Sequence, residues 1–261
     1  MTEVRSRIVE GIATIELNRP SCGNALSASL VEQCLTALDA ALTDQTVHTV
    51  VICANGKHFC TGFDLSNLDS ASDGELFFRF VRIELLLSRI WNAPVRTVAL
   101  THGRTWGAGA DLFAACDFRL SASNTTFRFP GAQFGIVLGT SRLSQRIGRT
   151  RAFDWISSGA EIDALTAQSA GLVTDIVQSE MDGFADMQPL SLGNHDFAVG
   201  GPRVDRATLT AVRRSAGSDQ ADSELAMLVR SASQPGLQSR MIAYRDRIRK
   251  KADGKVARDA L

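Results

Sequence analysis

The segment at residues 103–112, GRTWGAGADL, holds three glycines within seven residues and follows an apolar run at 95–100. The apolar run has the length and composition of a buried strand, and residues 111–116 indicate a short helix. A helix that begins at a glycine turn presents unpaired backbone N–H groups and the positive end of its dipole. The segment therefore predicts a site for an anion, or for an oxyanion that develops during a reaction.

A second glycine turn, HFCTGFDL at residues 58–65, stands in the same relation to a strand. It follows the continuous apolar run TVVIC at 49–53 and the Asn55-Gly56 turn signal. Taken alone, either turn could simply reverse the chain. A dinucleotide-binding fingerprint is not expected at residues 103–112, because Leu112 stands where the third glycine of G-x-G-x-x-G would be.

The rest of the chain alternates between strand and helix patterns, which predicts an α/β fold. Strand patterns occur at residues 12–17, 49–53, 95–100, 118–122, 126–129 and 170–177. Helical patterns occur at residues 27–42, 74–91 and 111–116, in parts of 141–155, and from 205 to the end. Residues 185–203 carry Pro, Gly, Asn and Ser without a period and predict a connector.

Composition narrows the class of protein. The 261 residues are 44% hydrophobic, and 28 basic residues balance 28 acidic ones, so a general nucleic-acid binder is not expected. No apolar run approaches the ~20 residues of a membrane span, and the first ten residues lack the apolar core of a signal peptide. The five cysteines form no CxxC pair and predict reduced thiols in a cytoplasmic protein.

The two glycine turns, with three further stretches, resemble the enoyl-CoA hydratase/isomerase, or crotonase, superfamily. The resemblance runs in order over about residues 8–180 and implies a crotonase-like spiral of ββα repeats in residues 1–190, which holds an acyl-CoA site. It implies a helical oligomerisation region in residues 191–261, which builds a homotrimer or hexamer. The further stretches are IELNRP (15–20) with NAL (24–26), CDFRLSA (116–122), and SGAEIDA (158–164) with AGLV (170–173).

The resemblance also implies site residues. Two backbone N–H groups, those of Phe63 and Ala108, would form an oxyanion hole for a thioester enolate, and Asp111 would be the catalytic acid or base. Coenzyme A would enter as part of the substrate, with no separate cofactor. The residues implied in binding substrate are Ala25, Thr61, Gly62, Phe63, Asp64, Leu65, Trp106, Gly107, Ala108 and Gly131.

One departure from the family pattern bears on the reaction. Hydratases of the family use two glutamates around one water; here Asp111 replaces the first, and Gly131 stands where the second would follow Pro130. Loss of a positioned acid or base commonly costs about 10²–10⁴ in rate. One-acid chemistry such as isomerisation or decarboxylation is therefore plausible, and the Trp106 turn weakly resembles methylmalonyl-CoA decarboxylases. The alternative is a non-catalytic acyl-CoA-binding or assembly protein of the same fold.

Three further polar side chains are candidates for a catalytic or binding role. Gln133 could position a water, although a backbone-bonded amide is the simpler expectation. His102 is expected to be a structural, hydrogen-bonded histidine at a strand end, and His58 to lie near the coenzyme A entry. The basic residues at 245–251 predict a solvated helix face.

Overall fold

The computed structural model of the protein describes residues 2–177, 204–216 and 221–259. Its strands are β1 (Val4–Val9), β2 (Ile12–Leu17), β3 (Thr49–Ala54), β4 (Arg96–Thr101), β5 (Arg104–Trp106), β6 (Phe118–Ala122), β7 (Thr126–Arg128), β8 (Ile162–Asp163) and β9 (Asp175–Val177). Its helices are α1 (Ala28–Thr43), α2 (Asp73–Trp91), α3 (Ala108–Ala115), α4 (Thr140–Ile147), α5 (Arg149–Ser158), α6 (Ala164–Ser169), α7 (Arg206–Ser215), α8 (Ala221–Ala232) and α9 (Leu237–Asp259).

The strands form two sheets, as expected of an α/β spiral. The larger sheet has the order β1-β2-β3-β4-β6-β9, in which β1 is antiparallel to β2 and the later pairs are parallel. The smaller sheet has the order β5-β7-β8. Every residue of β3 is buried, as is typical of an inner strand of a largely parallel sheet. The chain thus passes repeatedly from the larger sheet to the smaller one and back, and the predicted spiral fold is confirmed.

Local sequence explains where helices α1 and α2 begin. The Ser27 side chain accepts a hydrogen bond from the backbone N–H of Leu30, as is typical of an N-cap, and Ser72 caps α2 through Glu75 in the same way. The buried face of α2 includes Phe80. These two helices pack against each other beside the larger sheet.

The predicted strand at 170–177 is wrong over most of its length. Only Asp175–Val177 is a strand, and the residues before it form a turn in which Gly171 has φ +90°. That left-handed conformation breaks an extended run. The structure also adds three strands that sequence periodicity did not indicate: β1, β5 and β8. β1 is an edge strand with five exposed residues, so its sequence VRSRIV shows no buried alternation.

The C-terminal helices contribute to the core. Leu228 of α8 and Met241 of α9 are buried against Phe80 of α2 and its apolar neighbours. The predicted connector at 185–203 and the predicted boundary after residue 190 lie outside the described residues. Within the described residues, each helix is too short or too polar to cross a membrane.

Candidate active site

The two glycine turns lie directly against each other. The backbone N–H of Trp106 donates to the Cys60 carbonyl at 2.9 Å. A Cβ added at Gly62 would lie 2.9 Å from the Trp106 carbonyl oxygen, and one at Gly109 would lie 2.7 Å from the Cys60 carbonyl oxygen. Glycine at both positions therefore lets two backbone segments approach more closely than any side chain would allow.

The backbone amides of Phe63 and Ala108 belong to residues that line one cavity. Ala108 is the first residue of α3, where an N–H has no partner inside the helix. On either side of Phe63, the N–H of Leu26 donates to the Gly62 carbonyl at 2.8 Å and the N–H of Asp64 donates to the Leu26 carbonyl at 3.3 Å. Within the described residues, neither the Phe63 nor the Ala108 N–H donates to a protein acceptor. The arrangement offers two donors to a ligand oxygen; their role as an oxyanion hole stays a prediction.

The cavity beside these amides has a volume of about 160 Å³ and a mainly apolar wall. The stacked rings of Phe63 and Phe80, with centroids 4.3 Å apart, form one side. Helix α9 contributes Met241, Tyr244 and Ile248. The cavity can therefore take an apolar chain and shield it from water.

Asp111 lies in the first turn of α3 and points into a confined space. The residue is only 7% exposed. Burial raises the pKa of its carboxyl well above the usual value, and the nearby carboxylates of Glu224 and Glu84 add to the effect, while Arg142 opposes it. Among the described residues that line the cavity, Asp111 is the one with an acidic side chain. The arrangement can supply one transferable proton.

Gly131 also lines the cavity, in a short 3₁₀ turn, Gly131–Phe134. Its carbonyl accepts a hydrogen bond from the Ile136 N–H at 2.9 Å, which closes the turn. A Cβ at Gly131 would lie 2.9 Å from the Ile136 carbonyl oxygen. The turn is therefore built around a residue without a side chain, and this wall offers no second acid among the described residues.

Most of the predicted site residues are brought together. Ala25 and Asp64 are the two that lie outside the lining of the cavity. Both contact Arg19, whose guanidinium donates to the Ala25 carbonyl at 3.1 Å and pairs with the Asp64 carboxylate at 2.8 Å. The predicted residues that line the cavity are Thr61, Gly62, Phe63, Leu65, Trp106, Gly107, Ala108, Asp111 and Gly131.

The other polar candidates make structural contacts. The Gln133 amide donates to the Ser158 carbonyl at 3.2 Å, as expected of a backbone-bonded amide. A ring nitrogen of His102 lies 2.6 Å from the Gly56 carbonyl oxygen, and a ring nitrogen of His58 accepts from the Arg104 N–H at 3.2 Å. Four cysteines are buried and one is exposed, and burial raises the pKa of Cys60 to about 12.

Sequence reasoning missed two groups of residues around the cavity. The first is the part of α9 that lines it, because the C-terminal region was assigned to oligomerisation alone. The second is a buried charged group behind Asp111, formed by Glu84, Arg142 and Glu224. The position of Glu84 on the apolar face of α2 was the available signal, since a buried charge needs a partner.

Known proteins share this fold and sequence pattern. The sequence profile of the enoyl-CoA hydratase/isomerase family matches residues 7–185. The chain is 32% identical over 185 residues to the 2,3-dehydroadipyl-CoA hydratase of Escherichia coli K12, covering 69% of this chain and 71% of the relative. It is 29% identical over 220 residues to human mitochondrial methylglutaconyl-CoA hydratase, covering 81% of this chain and 65% of the relative.

Two solved structures extend the likeness beyond the matched segment. A Bordetella parapertussis protein assigned to the enoyl-CoA hydratases/isomerases superposes with a TM-score of 0.82 at 35% identity, covering 94% of this chain and 98% of the other. An enoyl-CoA hydratase/isomerase from Xanthobacter autotrophicus Py2 gives a TM-score of 0.78 at 25% identity, with 98% of each chain covered. This chain therefore belongs to the enoyl-CoA hydratase/isomerase family.

Proposed function

We propose that the protein transforms an acyl-CoA thioester by one-acid chemistry. The thioester oxygen would accept hydrogen bonds from the N–H groups of Phe63 and Ala108, and Asp111 would move the proton. The single observation that carries this proposal is that one apolar cavity, which Gly131 also lines, joins one carboxyl group to two backbone amides that have no protein acceptor among the described residues.

Two reactions fit that set of groups. In a double-bond isomerisation, Asp111 would take a proton from one carbon of the acyl chain and return it to another. In a decarboxylation, a carbon–carbon bond would break, carbon dioxide would leave with the former carboxylate oxygens, and the electron pair would form the thioester enolate. Asp111 would then protonate the enolate carbon and regain its proton from water. Each oxyanion donor typically contributes about 3–4 kcal/mol to such a step.

Hydration fits the site less well. Addition of water to a double bond needs a base to activate the water and an acid to protonate carbon. Asp111 is the one carboxyl group that lines the cavity among the described residues, so one of these two functions has no carboxylate to serve it. The curated relatives act as hydratases or isomerases by name, so both outcomes are represented in the family.

The experiment is to incubate the protein with crotonyl, 3-enoyl, branched malonyl and hydroxyacyl thioesters of coenzyme A and to identify the products by mass. We expect one class to be converted by the wild type and not by Asp111→Asn. Asp154→Asn, an exposed residue of α5, is the control and should keep full activity. Absence of thioester binding at millimolar concentration would show that the proposal is wrong.

A second candidate is a non-catalytic acyl-CoA-binding protein, which the glycine at position 131 favours. It predicts that thioesters bind and that the panel is returned unchanged. Any product whose formation stops in Asp111→Asn excludes it.

The remaining parts of the proposal concern the protein's surroundings. We propose that coenzyme A enters only as part of the substrate, that no separate cofactor is needed, and that the protein works in the cytoplasm. Assembly as a homotrimer or hexamer is proposed on the exposed apolar side chains of Phe153 and Leu165, which are 75% and 70% accessible in one chain.

A further inference from the structure

Behind the catalytic carboxyl lies a buried charged group drawn from four helices. Asp111 comes from α3, Glu84 from α2, Arg142 from α4 and Glu224 from α8. None of the four residues is more than 7% exposed. Charged side chains are almost never fully buried unless they are paired, because removing a charge from water costs free energy. The burial of four such side chains in one place therefore needs an explanation other than packing.

The charges of this group do not balance. Arg142 donates two hydrogen bonds to Glu84, at 3.0 and 2.5 Å, and both side chains are at most 3% accessible. This bidentate pair neutralises itself. Asp111 and Glu224 remain, and within the described residues neither forms an ion pair of its own. The Asp111 carboxyl packs against Gly139, and Glu224 accepts from the N–H of Ser141 two residues later, so both carboxyl groups lie at the beginning of α4. Burial first, and then the charge of Glu224, raises the pKa of Asp111.

Glu224 is held in place by a neighbouring backbone group. Its carboxylate accepts a hydrogen bond from the Ser141 N–H at 2.6 Å, at the beginning of α4. A backbone donor stabilises the charged form of the carboxylate that accepts it. Two ionised carboxylates close together in a buried site repel each other, so one of them retains a proton. Ser141 donates to Glu224, whereas within the described residues no hydrogen-bond donor reaches the Asp111 carboxyl, so burial favours the protonated form of Asp111.

We propose that Glu224 is a positioning residue whose buried charge keeps the proton on Asp111, so that Asp111 acts first as an acid. This inference rests on the proposed function and deepens it. Of the two reactions above, it favours the one that begins with loss of a group from the substrate and ends with proton donation to the enolate carbon.

The test measures the proton directly and needs no substrate. The protein is labelled with carbon-13 at the aspartate carboxyl groups, the Asp111 signal is assigned by its absence in Asp111→Asn, and its shift is followed from pH 4 to pH 9. Glu224→Gln keeps a hydrogen-bond acceptor for Ser141. We expect it to lower the pH midpoint of the Asp111 titration by about one unit or more. Glu224→Asp keeps the charge and should leave most of the midpoint shift in place.

Glu75→Gln removes an equal charge from the exposed beginning of α2 and is the matched control, for which we expect no change. An Asp111 midpoint that stays the same in Glu224→Gln overturns the inference, as does an equal shift in Glu75→Gln. If the glutamine variant does not fold, Glu224→Met removes the charge at similar length and gives the same comparison. Because the titration uses protein without ligand, its outcome is independent of whether any thioester is converted.

Discussion

Gly139 and Asp111 occupy adjoining space, and the carboxyl group of Asp111 fills the place where a side chain at 139 would begin. A Cβ at Gly139 would lie 2.6 Å from an Asp111 carboxyl oxygen and 2.9 Å from its carboxyl carbon. Gly139 also has φ +63°, a backbone conformation that glycine adopts most readily. The residue before α4 thus limits the direction in which the Asp111 carboxyl can point.

The first prediction follows from this contact. Gly139→Ala should displace the Asp111 carboxyl by a few tenths of an ångström or more and lower activity by up to about 10²-fold. Gly236→Ala is the control, because Gly236 has φ +73° and its nearest contact would be 3.9 Å away. Both variants should lose about 1 kcal/mol of folding free energy from the backbone conformation alone. Equal activities in the two variants would contradict the placement.

The second prediction separates the Phe63 amide from the Phe63 ring. Phe63→Pro deletes an N–H that has no protein acceptor among the described residues, so turnover should fall by about 10²–10³. Phe63→Ala keeps the N–H and removes the ring that stacks on Phe80, so it should weaken acyl-chain binding more than turnover. Steady-state rates and thioester affinities of the two variants check the difference, and a similar turnover in both would place the oxyanion elsewhere.

The third prediction concerns hydration. We expect the wild type to hydrate crotonyl-CoA about 10²–10⁴ times more slowly than a hydratase with two glutamates. Gly131→Glu should not repair the reaction, because its Cβ would lie 2.9 Å from the Ile136 carbonyl oxygen and the 3₁₀ turn would have to open. Hydration by the wild type at the rate of a two-glutamate enzyme would show that a residue outside the described cavity wall supplies the second acid.

The fourth prediction is a pH dependence of stability. Burial raises the pKa of Asp111 in the folded protein, whereas the pKa of an aspartate in the unfolded chain is about 3.9. Above that pH the folded protein holds a proton that the unfolded chain has lost, so this carboxyl makes the free energy of unfolding fall as pH rises. The slope is at most about 1.4 kcal/mol per pH unit until the folded group ionises.

Asp111→Asn should remove this component of the pH dependence. Urea unfolding of both proteins at pH 5, 6, 7 and 8 gives the difference in unfolding free energy at each pH. We expect the asparagine variant to gain stability relative to the wild type as pH rises. A difference that is constant over this range would show that Asp111 titrates normally.

The fifth prediction concerns assembly. Phe153 of α5 and Leu165 of α6 leave large apolar areas exposed on one chain, and a neighbouring copy would bury them. We expect the full-length protein to sediment as a trimer or hexamer at micromolar concentration, and Phe153→Lys to weaken the assembly. A wild-type monomer at that concentration would show that these side chains are ordinary surface residues.

Sequence by itself determined the class of the fold and the location of the two glycine turns that line the cavity. The apolar run at 49–53 indicated a buried strand, and the two glycine turns were located directly after such runs. The position of Asp111 in the first turn of α3 follows from the same local pattern, whereas the hydrogen bond between the Cys60 and Trp106 backbones is a finding of the structure. The absence of a side chain at Gly131 was also readable directly.

Only the tertiary structure decided which elements close the cavity and which charged groups surround Asp111. Tyr244 reaches the cavity from a helix more than 130 residues beyond Asp111, and Glu224 reaches the buried charges from another. Their local patterns are those of ordinary amphipathic helices, because a helical period shows which face is buried and not what it is buried against. The pKa of Asp111 depends on its burial and on charged side chains from three other helices, and this environment exists only once the chain has folded.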